Sequence, residues 1–244
     1  MKACVIIPAR FRSSRFPGKP LAKLLNKEMI IWVAELSETA VGKRNVYIAT
    51  DDERISKKVN EYGFNSIMTN SNLLTGTDRV AEASKKLDYD IFVNVQGDEP
   101  LIDPSDILKS IELKERFPSS VVNSFCYLSK EEDPHNKNIP KLVINQNNDL
   151  IYISRAVIPN SKNNSLENIN YKKQVCIYSY SRRDLEIFSS VNKKSFNENL
   201  EDIEILRFFE FGIKIKMFEA SKSSLAVDVF SDIEKVEKEL KKNY

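Results

Sequence analysis

The sequence has little histidine, cysteine or glycine, and each shortage removes a class of function. It has one histidine, His135, in an Asp-Pro-His-Asn stretch typical of a loop, so we expect it at the surface and not in a catalytic group. Three cysteines, Cys4, Cys126 and Cys176, are far apart and form no Cys-x-x-Cys pair, which argues against a structural zinc site and a disulfide framework. This usage fits a reducing compartment, with the cysteines in the core.

Only six glycines occur, and the glycine-rich fingerprints are missing. There is no Gly-x-Gly-x-x-Gly dinucleotide motif and no Gly-x-x-x-x-Gly-Lys-Ser/Thr P-loop. There is also no Gly-x-Ser-x-Gly, so a hydrolase nucleophile has no support. A dehydrogenase is disfavoured for the same reason.

Net charge and long apolar runs are also scarce. Lysine and arginine number 37 against 35 acidic residues, a net charge of +2, which provides no long-range field for nucleic acid. No run approaches the roughly 20 apolar residues that span a bilayer, and the apolar stretch that ends at Pro8 is too short for a signal peptide. With 41% hydrophobic and 30% charged residues, the chain is predicted to be a globular cytoplasmic protein that binds neither membrane nor nucleic acid.

What is present is an alternation of short apolar runs and helical patterns through about residue 116. This order indicates an α/β fold, a Rossmann-like doubly wound and mostly parallel sheet with helices on both faces. Asp51 or Asp52 is predicted to cap the second helix, Thr77 or Asp78 the third, and Asp103-Pro104 the fourth. The predicted strands are Cys4–Ile7, Val46–Ala49, Asn65–Met68 and Ile91–Val95.

The pattern then changes to strands with little helix between them. They are predicted at Val121–Leu128, Leu142–Ile144, Leu150–Ser154, Val175–Tyr180 and Ile213–Phe218. We interpret this as a smaller mixed-sheet extension of one domain over 1–244, with a first half at about 1–116, the extension at 117–180 and helices at 181–244. A helix is expected around Leu200–Phe211, ending at Gly212, and a last helix is expected to open at Ser231.

The segment after the first strand has the composition of a polyphosphate-binding loop. Between Pro8 and Pro20 it holds four cations and two serine hydroxyls: Arg10, Arg12, Arg15, Lys19, Ser13 and Ser14. Such donors, with free backbone N–H groups, suit phosphate oxygens. On composition alone, a solvated basic loop is equally compatible.

Other polar segments lie at predicted strand ends or helix starts. Asp98 follows the strongest strand and is well placed to hold Mg²⁺ facing phosphates, although a turn aspartate is the alternative. Thr75–Arg79 reads as a strand-to-helix junction, where a plain cap is the alternative. Asp228 could share an ion with Asp98, but by itself it reads as a turn residue. Glu198, Glu201, Glu204 and Arg207 are spaced by three on one predicted helix, where glutamates are usually solvated.

Several motifs, taken in order, resemble the 3-deoxy-manno-octulosonate (KDO) cytidylyltransferase family, also called CMP-KDO synthetases, over nearly the whole chain. The most specific are the run from Val5 to Leu21 and the run from Asn94 to Pro100. The others are Ala49–Asp52, Thr75–Arg79, Ser154–Pro159 and Val227-Asp228. The sialic-acid relatives carry a more glycine-rich first loop.

The resemblance implies an Mg²⁺-dependent nucleotidyltransferase that joins CMP from CTP to the anomeric hydroxyl of KDO and releases pyrophosphate, for lipopolysaccharide synthesis. It also suggests a homodimer, formed through the strand-rich extension that would bind the sugar. Arg10, Lys19 and Asp98 would be catalytic, and Asp98 and Asp228 would ligate Mg²⁺. The nucleotide would be bound by Pro8, Ala9, Arg10, Ser13, Arg15, Lys19, Thr77, Arg79 and Gln96. The sugar acid would contact Arg155, for its carboxylate, and Gln174, Tyr178, Glu201 and Glu204.

Two positions depart from the family pattern, and both are expected in the sugar pocket. Relatives usually read Lys-His-Leu-Gly-Ile-Tyr where this chain has Lys173-Gln174-Val-Cys-Ile-Tyr178, and Glu-Gln-Leu-Arg where it has Glu204-Ile205-Leu-Arg207. Glutamine cannot take a proton as histidine can, and isoleucine donates no hydrogen bond. The reaction type is therefore better indicated than the sugar, which could be 8-amino-KDO or another 2-keto-3-deoxy acid. From another class, a non-catalytic nucleotide-binding protein stays open.

Overall fold

The computed structural model describes residues 1–12, 16–162, 169–222, 225–227 and 229–243. Within these ranges the strands are β1 (Ala3–Ala9), β2 (Lys23–Leu24), β3 (Lys27–Glu28), β4 (Val46–Thr50), β5 (Asn65–Met68), β6 (Ile91–Val95), β7 (Val121–Tyr127), β8 (Lys141–Ile144), β9 (Leu150–Ser154), β10 (Lys172–Ser181) and β11 (Ile215–Glu219). The α-helices in the same ranges are α1 (Met29–Val41), α2 (Glu53–Glu61), α3 (Gly76–Ser84), α4 (Pro104–Arg116), α5 (Arg182–Phe188), α6 (Phe196–Glu201), α7 (Leu206–Glu210) and α8 (Asp232–Asn243). None of these helices combines the length and the apolar character needed to cross a bilayer.

The strands form one large mixed sheet in the order β11-β7-β10-β6-β1-β4-β5. β6, β1, β4 and β5 are parallel, which confirms the mostly parallel α/β sheet predicted from the first half of the sequence. β10 is antiparallel to both of its neighbours, β6 and β7, while β7 and β11 are parallel. β8 pairs with β10 and with β9, so the strand-rich extension continues the same sheet.

Helices cover both faces of the sheet because its central strands are apolar on both faces. In β1, Cys4 and Ile6 join the core beneath α3, α5 and α7, and Val5 and Ile7 join the core beneath α1, α2 and α4. Successive side chains of a strand point to opposite faces, so one buried strand supplies both cores. A third, smaller cluster packs α8 against the start of α1, with Val227 inside it.

The sheet direction brings three distant parts of the chain to one edge. β1 and β6 are parallel, so the segments that follow Ala9 and Val95 leave the sheet at the same side. β10 is antiparallel to β6, with Ile177 opposite Val95, so its first residues lie at that side too. The N–H of Gln96 donates to the Cys176 carbonyl there. Ligands bind at the carboxyl edge of such sheets.

The predicted helix over Leu200–Phe211 is wrong as a single element. It consists of two short helices, α6 and α7, separated at Asp202, whose φ of 51° and ψ of 48° are left-handed. Aspartate tolerates this conformation better than most residues. The turn is held because the Asp202 carboxylate accepts from Lys194 at 2.5 Å and its carbonyl accepts from Arg155 at 3.0 Å.

The predicted cap of α3 is also wrong by two or three residues. Thr75, not Thr77 or Asp78, is the N-cap, because its hydroxyl oxygen accepts the N–H of Asp78 at 3.1 Å. The caps predicted at Asp52 and at Asp103 with Pro104 are confirmed. Gly212 follows α7 with a φ of 71°, as predicted. α5 is not among the elements predicted from the sequence.

Candidate functional site

A cavity of about 600 Å³ lies at the carboxyl edge of the sheet. Its lining comes from the segments after β1 and β6, from the start of α3, from the first half of β10, and from the loops near α6 and α7. We call the part around Arg10, Lys19 and Asp98 the β1 side. The part around Arg155, Lys173, Gln174 and Glu204 is the β10 side.

On the β1 side, an ammonium group links the segments after β1 and β6. Lys19 Nζ donates to Asp98 Oδ2 at 2.5 Å and to the Val227 carbonyl at 3.0 Å. The Val227 N–H donates in turn to the Asp98 carbonyl at 2.9 Å. The Lys19 and Asp98 side chains are 19% and 25% exposed, so a ligand in the cavity can reach both. Few oxygens of the described residues surround this position. A metal cation bound there would therefore have coordination sites left for phosphate oxygens.

The turn that presents Lys19 requires a glycine. Gly18 has a φ of 72°, and its N–H donates to the Phe11 carbonyl at 2.9 Å. A side chain there would strain the backbone, and its Cβ would lie 3.1 Å from the Phe11 ring. The glycine therefore lets the chain fold back and place Lys19 next to Asp98.

Arg79 lies beneath the β1 side and is nearly fully buried. Its guanidinium donates to the Thr69 hydroxyl at 2.5 Å and to Asp51 at 3.3 Å. Burial lowers the pKa of Arg79, and the Asp51 carboxylate opposes that shift. Its side chain lines the cavity, so it adds a positive charge below Arg10.

Gln96 and Glu204 meet over the first residue of α3. A Cβ on Gly76 would lie 2.9 Å from Gln96 Nε2 and 3.3 Å from Glu204 Oε1, so any larger residue there would displace the ends of these two side chains. Glu204 accepts the N–H groups of Gly76 at 2.9 Å and Thr77 at 2.8 Å, which places a carboxylate at the positive end of α3. Burial raises the pKa of Glu204, and the bonds to Thr77 and Gly76 oppose that rise.

A buried ion-pair network, Asp78, Glu198 and Arg207, stands behind Glu204. Arg207 is fully buried and donates to Glu198 at 2.6 and 2.7 Å and to Asp78 at 2.8 Å. The expectation that these glutamates are solvated is wrong for Glu198, which is also fully buried. Because Asp78 is on α3 and Glu198 on α6, the network joins α3, α6 and α7 around the position of Glu204.

Arg155 ties the loop after β9 to α6. Its guanidinium donates to the carbonyls of Glu201 at 2.5 Å, Lys137 at 2.9 Å and Asp202 at 3.0 Å. Its own carbonyl accepts from Lys141 Nζ at 2.6 Å. Two of the five N–H groups of the guanidinium are left by these bonds, so Arg155 can still donate into the cavity that it lines.

The structure brings most of the predicted site residues to one cavity. Those that line it are Pro8, Ala9, Arg10, Lys19, Arg79, Gln96, Asp98, Arg155, Gln174, Tyr178 and Glu204. Ser13, Arg15 and Asp228 lie outside the described residues.

Three predicted positions do not line the cavity. Thr77 is buried with its hydroxyl 3.3 Å from that of Tyr180, and its N–H donates to Glu204. The Glu201 carboxylate is engaged by the Ser154 hydroxyl at 2.6 Å and the Arg155 N–H at 2.8 Å. Ile205 is 1% exposed in the core around Tyr180 and Phe208, so its expected place in the sugar pocket is wrong. The apolar side chain of Ile205 fits there because the position faces the core.

Sequence reasoning missed several polar lining residues on the β10 side. They are Glu132, Asn136, Lys173, Lys194 and Asp202. Lys173 forms an ion pair with Glu132, and both side chains are largely buried. The two residues are 41 positions apart, and no periodicity within either segment indicates the pairing. The one sequence signal near Lys173 was the adjacent Gln174, which stands where the family pattern has histidine.

Comparison with known proteins gives a consistent result along the whole chain. A family model described as Cytidylyltransferase matches residues 4–215. The chain is 37% identical to the 3-deoxy-manno-octulosonate cytidylyltransferase of Escherichia coli over 235 residues, 96% of this chain and 94% of that protein. It is 38% identical to the 8-amino-3,8-dideoxy-manno-octulosonate cytidylyltransferase of Shewanella baltica over 248 residues, 98% and 99% of the two chains.

Solved structures agree with the fold. The chain matches a CMP:2-keto-3-deoxy-manno-octonic acid synthetase complexed with CTP, with a TM-score of 0.91 and 36% identity over 100% of both chains. The inositol-1-phosphate CTP transferase from T. maritima shares the fold at a TM-score of 0.70 with 16% identity, covering 99% of this chain and 96% of that one. The first match is similar in sequence as well as in fold.

Proposed function

The chain belongs to the cytidylyltransferase family, and on that premise we propose that it transfers CMP from CTP to the anomeric hydroxyl of KDO and releases pyrophosphate, in lipopolysaccharide synthesis. The observation that carries the proposal is that a single cavity combines a cationic β1 side with a polar β10 side. Such a cavity can hold a triphosphate and a sugar acid next to each other.

The β1 side would bind the triphosphate. Arg10 is exposed and Lys19 is partly exposed, so both can exchange their present surroundings for phosphate oxygens. Lys19 would exchange its bond to Asp98 for bonds to the β- and γ-phosphates. Arg10 would bind the same negatively charged phosphates. Stabilising the negative charge that develops on departing pyrophosphate is the contribution expected of these two cations. Ser13 and Arg15 are also proposed to bind the triphosphate.

The residues around Asp98 fit a divalent cation. The Asp98 carboxylate and the Val227 carbonyl already hold the ammonium of Lys19, so these oxygens are arranged around a positive charge. Among the described residues, no three acidic, histidine or cysteine side chains cluster as a metal site. As the family resemblance implies, Asp98 and Asp228 would be its protein ligands, with phosphates and water completing the shell, as Mg²⁺ prefers. When bound, Mg²⁺ would neutralise phosphate charge and polarise the α-phosphate.

The chemical step needs orientation more than a protein nucleophile. The oxygen of the anomeric hydroxyl forms a bond to the α-phosphorus of CTP and gives its proton to water, while the bond from that phosphorus to the bridging oxygen of the β-phosphate breaks and pyrophosphate leaves. Gln96 lies between the two sides of the cavity, next to Gly76 and Glu204, where it can donate to a sugar or phosphate oxygen. The two remaining N–H groups of Arg155 would bind the carboxylate of the sugar acid.

A second substrate, 8-amino-KDO, is favoured by specific observations. Relatives with that activity are as similar to this chain as the KDO enzyme, at 38% against 37% identity. In addition, Gln174 replaces the histidine usual in the KDO family and lines the β10 side. The reaction would be the same for either sugar acid.

The proposal includes a homodimer. It would form through the strand-rich extension, where Tyr127 on β7 and Ile151 on β9 are 40% and 51% exposed and a partner subunit could cover them. Sedimentation equilibrium of the purified protein tests this: a mass of one chain at micromolar concentration would contradict it.

Pyrophosphate release decides the main proposal. The protein is incubated with CTP, Mg²⁺ and, in turn, KDO, 8-amino-KDO and N-acetylneuraminate. Release with KDO or 8-amino-KDO, and formation of the CMP-sugar, is the expected result. Binding of CTP without release in the presence of every sugar acid would support a non-catalytic nucleotide-binding protein instead.

A further inference from the structure

An irregularity in β10 opens two backbone carbonyls close to the β10 side. The pairing of β10 with β7 shifts register between Val175 and Tyr178. Asn123 on β7 is fully buried at this point, and its side-chain Nδ2 donates to the carbonyls of Val175 at 3.0 Å and Ile177 at 2.9 Å. The asparagine therefore supplies the hydrogen bonds that the bulge has removed from the strand ladder.

These two bonds determine which way the Asn123 amide faces. Backbone carbonyls only accept hydrogen bonds, so the group that meets them must be the NH₂ and not the oxygen. Asn123 Oδ1 is consequently an acceptor on the opposite side. The side chain of Gln174 reaches it there, with Nε2 donating at 2.9 Å.

The same reasoning then orients Gln174. Since its NH₂ must face Asn123 Oδ1, its carbonyl oxygen Oε1 faces away from that contact. Gln174 is half-buried and lines the cavity. Among the residues that the structure describes, none donates to Oε1. The amide is held in place by the protein at one end and presents an acceptor at the other.

We infer that Gln174 Oε1 accepts a hydrogen bond from the sugar acid and that Asn123 is a positioning residue that sets this polarity; the inference rests on the proposed function. An amide oxygen held in this way selects a group that donates, either a hydroxyl or an ammonium. Next to it, Lys173 and Glu132 neutralise each other as an ion pair. The lysine adjacent to Gln174 therefore carries no unpaired charge that would exclude an ammonium donor.

The first test removes the acceptor. Gln174→Met keeps the length of the side chain but has no oxygen. The kcat/KM for the preferred sugar acid should fall about tenfold, through KM, while the KM for CTP stays unchanged. Gln146→Met is the matched control, because Gln146 is exposed in the turn between β8 and β9. A Gln174→Met enzyme that matches this control would overturn the inference.

The second test separates positioning from simple support of the fold. Asn123→Ala should raise the sugar KM in the wild-type background, yet add nothing to it in the Gln174→Met background, because the oriented acceptor is already gone. Stability should fall under either role, because the carbonyls of Val175 and Ile177 lose their donor. A purely structural role would change the KM values for both substrates, and by the same factor in the two backgrounds. Additive effects on the sugar KM would therefore reject the role of Asn123.

A comparison of three sugar acids identifies the group that donates to Gln174 Oε1. Gln174→Met is compared with the wild type on KDO, 8-amino-KDO and 8-deoxy-KDO. A loss on the first two that vanishes with 8-deoxy-KDO assigns the bond to the group at C8, and an equal loss on all three assigns it to another hydroxyl. No loss on any of the three contradicts the inference. Failure of the proposed function is a different result, since the wild type would then release no pyrophosphate with any of them.

Discussion

The β1 side and the β10 side of the cavity use charged side chains differently. On the β1 side, Lys19 and Asp98 are partly exposed and bonded to each other, and Arg10 is exposed. Behind the β10 side, the Arg207 and Glu198 side chains are 0% and 1% exposed. The first set can exchange partners when a ligand arrives, whereas the second cannot do so without unfolding.

This difference separates binding from support. Charged groups that must neutralise an incoming triphosphate have to be reachable, and an ion pair such as Lys19 with Asp98 keeps them in place until then. The ion-pair network instead positions backbone and the Glu204 carboxylate at the start of α3. We therefore expect substitutions on the β1 side to change activity, and substitutions in the network to change stability.

The largest expected effect is on stability. Glu198→Gln removes a buried charge that faces Arg207 and should lower the free energy of unfolding by about 3 kcal/mol, because two charge-assisted hydrogen bonds to the guanidinium are weakened and Asp78 alone remains as its carboxylate partner. Urea denaturation followed by circular dichroism measures it. Glu234→Gln, at a carboxylate that is 80% exposed, is the control and should change stability by less than about 0.5 kcal/mol. Equal effects of the two variants would mean that the network does not stabilise the fold.

The next effect is on turnover. Asp98→Asn keeps the size of the side chain but removes its charge, and should lower kcat at least about a hundredfold with an unchanged melting temperature. Pyrophosphate release at saturating CTP and sugar acid measures it. Asp88→Asn, at a side chain that is 99% exposed, should behave as the wild type. Near-normal turnover of Asp98→Asn would remove the basis of the metal assignment.

A smaller effect is expected on nucleotide binding. Lys19→Met should raise the KM for CTP about tenfold, because one charged hydrogen bond to phosphate is lost, and should leave the free energy of unfolding almost unchanged. Lys23→Met, on the exposed side of β2, is the matched control. If Lys19→Met lowered stability as much as Glu198→Gln, the contrast between the two sides would be wrong.

The smallest effect is a pH dependence on the β10 side. Burial raises the pKa of Glu204 above its usual value of 4.5, so between these two pKa values the folded state binds more protons than the unfolded state. The free energy of unfolding of the wild type should therefore fall relative to that of Glu204→Gln as pH rises above 4.5.

Urea titrations of both proteins at several pH values measure this difference. The difference between the wild type and the exposed variant Glu234→Gln should stay constant over the same range. A wild type that gains stability relative to Glu204→Gln as pH rises would show that the pKa of Glu204 is lowered instead.

Much of the β1 side could be predicted because it depends on local patterns. The strand bounds Asn65–Met68 and Ile91–Val95 are confirmed by the structure. Parallel strands end at one edge, so the segments after β1 and β6 were expected to meet, and Lys19 is indeed bonded to Asp98. Family resemblance added the order of the motifs.

The β10 side was harder to predict because its contacts join residues far apart in the chain. Arg207 and Asp78 are separated by 129 positions, and Gln174 and Asn123 by 51. The left-handed turn at Asp202 interrupts a helical spacing that continues on both sides of it. Ile205 looked like part of the ligand site because of the motif around it, but it packs into the core.

The amino-acid sequence by itself determined the α/β class, the elements of the first half and the residues that follow β1 and β6, because apolar periodicity and strand direction are local properties. Only the tertiary structure decided that β10 inserts between β6 and β7, that Arg207 buries its charge against Asp78 and Glu198, and that Asn123 orients Gln174. Those results depend on which distant side chains meet in a packed interior. Hydrogen bonds and ion pairs between residues far apart in the chain produce no periodic pattern in the sequence.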